Sequence, residues 1–170
     1  YNTRPLYINN TIAFVLAVDQ PIARLARNPF LYGTFMAGIQ RNGKTKWLQH
    51  CSQIRSFYSP GIMKWEVSDN DFANFKIQLE IVPTASKTGM AVRAVAEGVQ
   101  QGDSLIWAFG GARWFEKQNL SWKMDIMGHP ELLTLGFVPD DCSDNQIKTE
   151  GRNYLVSLMD STNRKSYFAV

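Results

Sequence analysis

Phe75-Lys76-Ile77-Gln78-Leu79-Glu80-Ile81 alternates apolar and polar residues without a slip. Successive side chains of an extended chain point to opposite faces. As a strand, this stretch therefore buries Phe75, Ile77, Leu79 and Ile81 and wets Lys76, Gln78 and Glu80. Met63-Lys64-Trp65-Glu66-Val67 repeats the pattern. From Met90 to Glu97 it recurs with Arg93 and Glu97 on the parity of Ala91 and Val95. Strands wet on one side belong to antiparallel sheets.

Turn chemistry falls where these strands should end. Asn42-Gly43, between Arg41 and Lys44, is the strongest local signal, because both residues accept the positive φ of a two-residue hairpin turn. Its arms are read as residues 32–40 and 44–48. Ser59-Pro60-Gly61 opens the Trp65 strand, and residues 85–89 join the Phe75 and Met90 strands. Gln101-Gly102-Asp103 leads into a strand over residues 104–109. Residues 11–18 are nearly all apolar, as in a central strand buried on both faces. Strands are expected again at 154–159 and 167–170.

The rest is less regular. Residues 111–128 show no period, and Gly110-Gly111 marks where strand order stops. Pro130 to Leu135, followed by Gly136, reads as one short helix with proline in its first turn and glycine past its end. Residues 140–150 are acidic and polar and read as a solvated loop. The predicted fold class is all-β: a two-sheet antiparallel β-sandwich, supersandwich-like, with at most one short helix. Residues 1–170 are read as a single domain, a fragment of a longer chain.

Composition narrows the function classes. The hydrophobic share of 45% and charged share of 19% are those of a folded globular chain. The net charge of +3 is too mild for nucleic acid, with 9 basic and 5 acidic residues in 1–85 against 9 and 10 in 86–170. No basic stretch is interleaved with aromatics. The longest apolar run, residues 12–18, falls far short of the ~20 residues that span a bilayer. Cys51 and Cys142 permit one disulfide and demand none; two buried thiols is the preferred reading. Asn9-Asn10-Thr11 and Asn119-Leu120-Ser121 match the glycosylation acceptor pattern.

Catalytic signals are sparse. His50 and His129 lie far apart and nothing has zinc-type spacing, so no metal is expected. No Gly-x-Ser-x-Gly elbow is present, and the closeness of Ser121, Asp125 and His129 in sequence does not make a triad. Glycoside cleavage needs two acids facing across a cleft. Asp125, Glu131, Asp140 and Asp141 are candidates, but Glu131 suits a helix N-terminus and the aspartate pair suits a loop. No phosphate-cradling glycine loop exists, and no cofactor is expected.

The five tryptophans offer flat rings that could stack on sugars. Parity assigns Trp65, with Met63 and Val67, and Trp107, with Leu105 and Phe109, to the core. Trp47, Trp114 and Trp122 stand in less regular surroundings. Trp114 and Trp122, with Arg113 between Gly110 and Pro130, form the candidate exposed patch. Packing in a core or an interface is the competing reading.

Several strings occur together: Arg4-Pro5-Leu6-Tyr7 with Asn9-Asn10, Tyr32-Gly33-Thr34-Phe35-Met36, and Asn42-Gly43-Lys44 running into Lys46-Trp47-Leu48-Gln49. Others are Pro60-Gly61 with Trp65-Glu66, Gly89-Met90-Ala91-Val92-Arg93, and Trp107-Ala108-Phe109-Gly110-Gly111. The set resembles the N-terminal β-sandwich domain of an uncharacterised family of exported, glycoside-hydrolase-like Bacteroidetes proteins, in which an α/α toroid follows the sandwich. The likeness covers most of residues 1–160. It implies a non-catalytic accessory domain, packed on the toroid, in the periplasm or at the cell surface. The acid and base carboxylates would lie in the toroid, so no catalytic residue carries over. The rival readings are a carbohydrate-binding module using Trp47, Trp114 and Trp122, a small hydrolase using carboxylates of residues 125–141, and a purely structural sandwich.

Overall fold

Asn42 and Gly43 adopt φ of 51° and 77°, and Arg41 pairs with Lys44 across them. This is the two-residue hairpin that the Asn-Gly pair demands, and its twist matches that of the strands it joins. A computed structural model of the chain describes residues 4–7, 13–27, 30–85, 89–110, 146–151, 153–159 and 165–169. Among them the strands are β1 (Arg4–Tyr7), β2 (Ala13–Ala17), β3 (Ile22–Arg27), β4 (Phe30–Arg41), β5 (Lys44–Trp47) and β6 (Gln53–Ser59). There follow β7 (Ile62–Ser68), β8 (Lys76–Pro83), β9 (Met90–Glu97) and β10 (Ser104–Gly110), then β11 (Gln146–Glu150), β12 (Asn153–Met159) and β13 (Lys165–Ala169). One 3-10 turn, Leu48–His50, joins β5 to β6. No helix among the described residues is long and apolar enough to cross a membrane.

Two antiparallel sheets form the sandwich. The larger has the order β1-β2-β3-β4-β10, with β5 added to the end of β4; the smaller runs β6-β7-β8-β9. Every pairing in the smaller sheet is between chain neighbours. In the larger, only β10 comes from afar, pairing Ser104 through Gly110 with Gln40 through Thr34. The chain thus builds most of one sheet, then the other, and returns to finish the first.

The core lies between the inner faces. Val15, Ala17, Ala23, Leu25, Phe35, Ala37 and Ile39 come from the larger sheet and Met63, Trp65, Val67, Ile77, Leu79 and Ile81 from the smaller. The alternation in β7 and β8 is the burial pattern observed, buried residues on one parity throughout. Trp65 is fully buried, and its indole Nε1–H donates to the Val18 carbonyl across the sandwich at 3.0 Å. Buried indoles find such a partner because an unpaired donor in a dry core is costly.

The turn at Pro60-Gly61, with Ser59 paired to Ile62, stands where turn chemistry put it, and Pro83 pairs with Met90 on either side of the expected 85–89 connection. The 11–18 strand is β2, flanked by β1 and β3 on its two sides. Two findings depart from expectation. Within the stretch 140–150, read as a loop, residues 146–150 form β11, because Gly151 at φ 65° turns the chain back to pair Glu150 with Asn153. β11, β12 and β13 make a third, three-stranded sheet that the sequence reading did not separate from the sandwich. The helix expected at 130–135 and Cys142 lie outside the described residues.

Candidate functional site

Charged residues at inward parity build the first feature. Arg41 follows Phe35, Ala37 and Ile39 on the inner face of β4, and Asp69 follows Trp65 and Val67 at the end of β7. Both are buried. Arg41 Nε and Nη2 donate to the two carboxylate oxygens of Asp103 at 2.8 and 2.6 Å. Its Nη1 donates to the Ala73 carbonyl at 3.1 Å and Nη2 also to the Gly98 carbonyl at 2.8 Å. The guanidinium carbon sits 5.8 Å from the centre of the Phe75 ring. A planar fork of donors suits this bidentate pair with carbonyls at its flanks.

The second cluster lies across the same hairpin. Lys46 Nζ, on β5, approaches Asp69 at 2.8 Å and Asp71 at 3.1 Å. Asp69 also accepts the backbone N–H groups of Ser52 and Asp71, each at 2.8 Å. The loop from Asp69 to Phe75 is therefore gripped by two cations, Arg41 and Lys46, one on each arm of the Asn42-Gly43 hairpin. Phe72 and Phe75, both buried, meet edge to face within that loop.

Ionisation follows from these contacts. The hydrogen bonds from Arg41, and then from the Gln100 N–H, hold the Asp103 carboxyl well below the usual range, to about 2. Burial pushes Asp69 upward, but Lys46 and the two N–H donors outweigh it and leave the carboxyl lowered. Lys46 is held charged by Asp69 and Asp71. Cys51, a buried free thiol, is pushed up to about 11 by burial and then by the Asp69 carboxylate. None of these shifts poises a group to exchange protons near neutrality. A thiol so raised is a poor nucleophile. Among the described residues, no group of three or more His, Cys, Asp or Glu is placed to hold a metal ion.

The third feature is apolar. The register sets Leu105, Trp107 and Phe109 of β10 opposite Ile39, Ala37 and Phe35, on the inner face. Likewise Val92, Ala94 and Ala96 of β9 stand opposite Ile81, Leu79 and Ile77. Those partners are buried, yet Leu105 is 48% exposed, Trp107 45% and Val92 37%. β9 and β10 are each an edge strand of their sheet, joined by the 98–103 crossing, so the inner face of each borders an edge of the sandwich. Trp107 has the inward parity expected of it, but an edge position leaves it half in water. Phe109 closes the far end of β10 by packing on the core. Its ring lies over Gly33, where any Cβ would come within 2.8 Å of it.

Of the tryptophans singled out by sequence, Trp47 is half-buried at the end of β5, beside the Val18, Ile22 and Met36 cluster. Trp114, Trp122 and Arg113 lie outside the described residues, as do Ser121, Asp125, His129, Glu131, Asp140 and Asp141. The features that the structure does bring together, Arg41, Asp103, Lys46, Asp69 and the β9–β10 edge, were not among the sequence candidates. A signal existed for three of them: Arg41, Lys46 and Asp69 each carry a charge on the buried parity.

Fold and site together define an all-β sandwich with charge-tied loops at one end and an apolar open edge. The chain belongs to the family described as a domain of unknown function (DUF4450), whose model matches residues 28–165. No curated protein and no solved structure shows a match.

Proposed function

We propose that this chain is a non-catalytic accessory β-sandwich of an exported, carbohydrate-processing Bacteroidetes protein, docked by its open edge to a glycoside-hydrolase-like toroid. The observation that carries the docking is the inner-face exposure of Val92 and Leu105 on the two edge strands β9 and β10. Apolar residues gathered on one surface are typical of an interface. β10 ends at Gly110, where the segment carrying the candidate patch of Arg113, Trp114 and Trp122 begins. The carbohydrate context, the toroid and the periplasmic or cell-surface location rest on the resemblance of residues 1–160.

The test is a binding titration of the chain against the separately produced toroid of the parent protein. Association weakened at least about tenfold by Leu105→Asp supports the reading, since a charge buried at an interface is costly. Absence of association overturns it. A glycan array run on the same chain tests the rival. Glycan binding lost in a Trp47→Ala, Trp114→Ala, Trp122→Ala variant would make the chain a carbohydrate-binding module instead.

A further inference from the structure

We propose that Arg41 is a positioning residue for the open edge: it clamps the crossing between the two sheets and so sets how β9 and β10 stand apart. The purpose assigned to the clamp rests on the docking reading, while the clamp itself rests on geometry. One guanidinium ties the end of the β4–β10 ladder, where Gln40 pairs with Ser104, to the end of the β8–β9 ladder in the other sheet, where Lys76 pairs with Glu97. It does so through the 98–103 crossing, at Gly98 and Asp103, and through the 69–75 loop, at Ala73.

The crossing is fixed from the other side as well. Gly98 has φ 67°, and a Cβ there would overlap the Asn74 carbonyl oxygen. The crossing therefore lies directly on the 73–75 backbone. Asp103 closes the turn that follows: its carboxylate accepts the Gln100 N–H at 2.8 Å, and its own N–H donates to the Gln100 carbonyl at 3.1 Å. β9 arrives at this clamp and β10 leaves it in the opposite direction. Ala96 and Leu105 are each two residues from it, and Ala94 and Trp107 each four.

Lysine keeps the charge of Arg41 but has no fork, so it cannot serve Asp103 through two nitrogens while reaching Ala73 and Gly98. The experiment is hydrogen exchange on the chain carrying Arg41→Lys, with Asp103→Asn as the second variant, followed by the same toroid titration. The expected result is faster exchange of amides 98–105 by about tenfold or more, with amides 63–67 and 77–81 unchanged, because the clamp governs a local opening. Weaker toroid binding should accompany it. Exchange that rises equally in all strands, or in none, overturns the clamp and leaves Arg41 an ordinary stabilising residue. Local loosening with unchanged toroid affinity overturns docking through this edge while leaving the clamp in place.

Discussion

Trp65 and Trp107 carry the same side chain at the same inward parity, and their surroundings separate them. Trp65 is sealed in the core and hydrogen-bonded to Val18, whereas Trp107 is half exposed on an edge strand. Trp65→Ala should cost about 3–5 kcal/mol by leaving a large cavity. Trp107→Ala should cost less than about half of that, since the area it removes from water is smaller. Urea denaturation of the two variants checks the ranking. At the same scale, the lowered pKa of Asp103 makes a pH statement. A carboxyl whose folded pKa lies below its unfolded value stabilises the fold above the unfolded value and loses that contribution as pH falls through the folded one. The advantage of the native chain over Asp103→Asn should therefore be full above about pH 5 and fade from about pH 4 toward 2, read from denaturation midpoints along an acid series. Cys51 should resist iodoacetamide at pH 8 in the folded chain and react on unfolding, because its thiol is buried and raised to about 11.

Among the elements, those with turn chemistry at their ends were the legible ones. Asn42-Gly43, Pro60-Gly61, residues 85–89 and Gln101-Gly102 each announced a hairpin or crossing by residue type, and the strands beside them alternate cleanly. β3 was hidden because Ile22 and Leu25 are three apart among alanines and arginines, a spacing and composition that suit a helix as well. β6 was hidden because its inner face carries Ile54, Ser56 and Tyr58, only one of them aliphatic, as an edge strand tolerates. β11 has a single apolar residue, Ile147, and owes its form to pairing with β12. The clamped loop was illegible for another reason: ion pairs 23 to 62 residues apart leave no local pattern, only a charge at a buried parity. Glycines at positive φ give a test at this scale. Gly61 has open space where a Cβ would go, while Gly98 has the Asn74 carbonyl. Gly61→Ala should cost about 1–2 kcal/mol of backbone strain. Gly98→Ala should cost clearly more and displace the crossing, a difference that thermal unfolding of the two variants resolves.

Over the whole molecule, two sheets are held at one end by hydrogen-bonded charges and left apolar along one side. Burying Leu105 and Trp107 more fully would need only a neighbouring surface. A chain carrying Leu105→Asp should keep its far-ultraviolet spectrum and lose no more than about 1–2 kcal/mol in urea denaturation, because Leu105 is already half in water. It should also bind less of a hydrophobic dye such as ANS than the native chain, read from dye fluorescence. The order of the strands carries one more consequence, for the chain as it leaves the ribosome. β1 to β5 and β6 to β9 can pair as soon as they are synthesised, but β4 stays without its outer neighbour until residues 104–110 emerge, more than 60 positions later. For that interval the stretch Thr34–Gln40 is a bare template open to any passing strand. A nascent chain stalled before Ser104 would thus be the species most prone to aggregate, and the arrival of β10 is the step that ends the hazard.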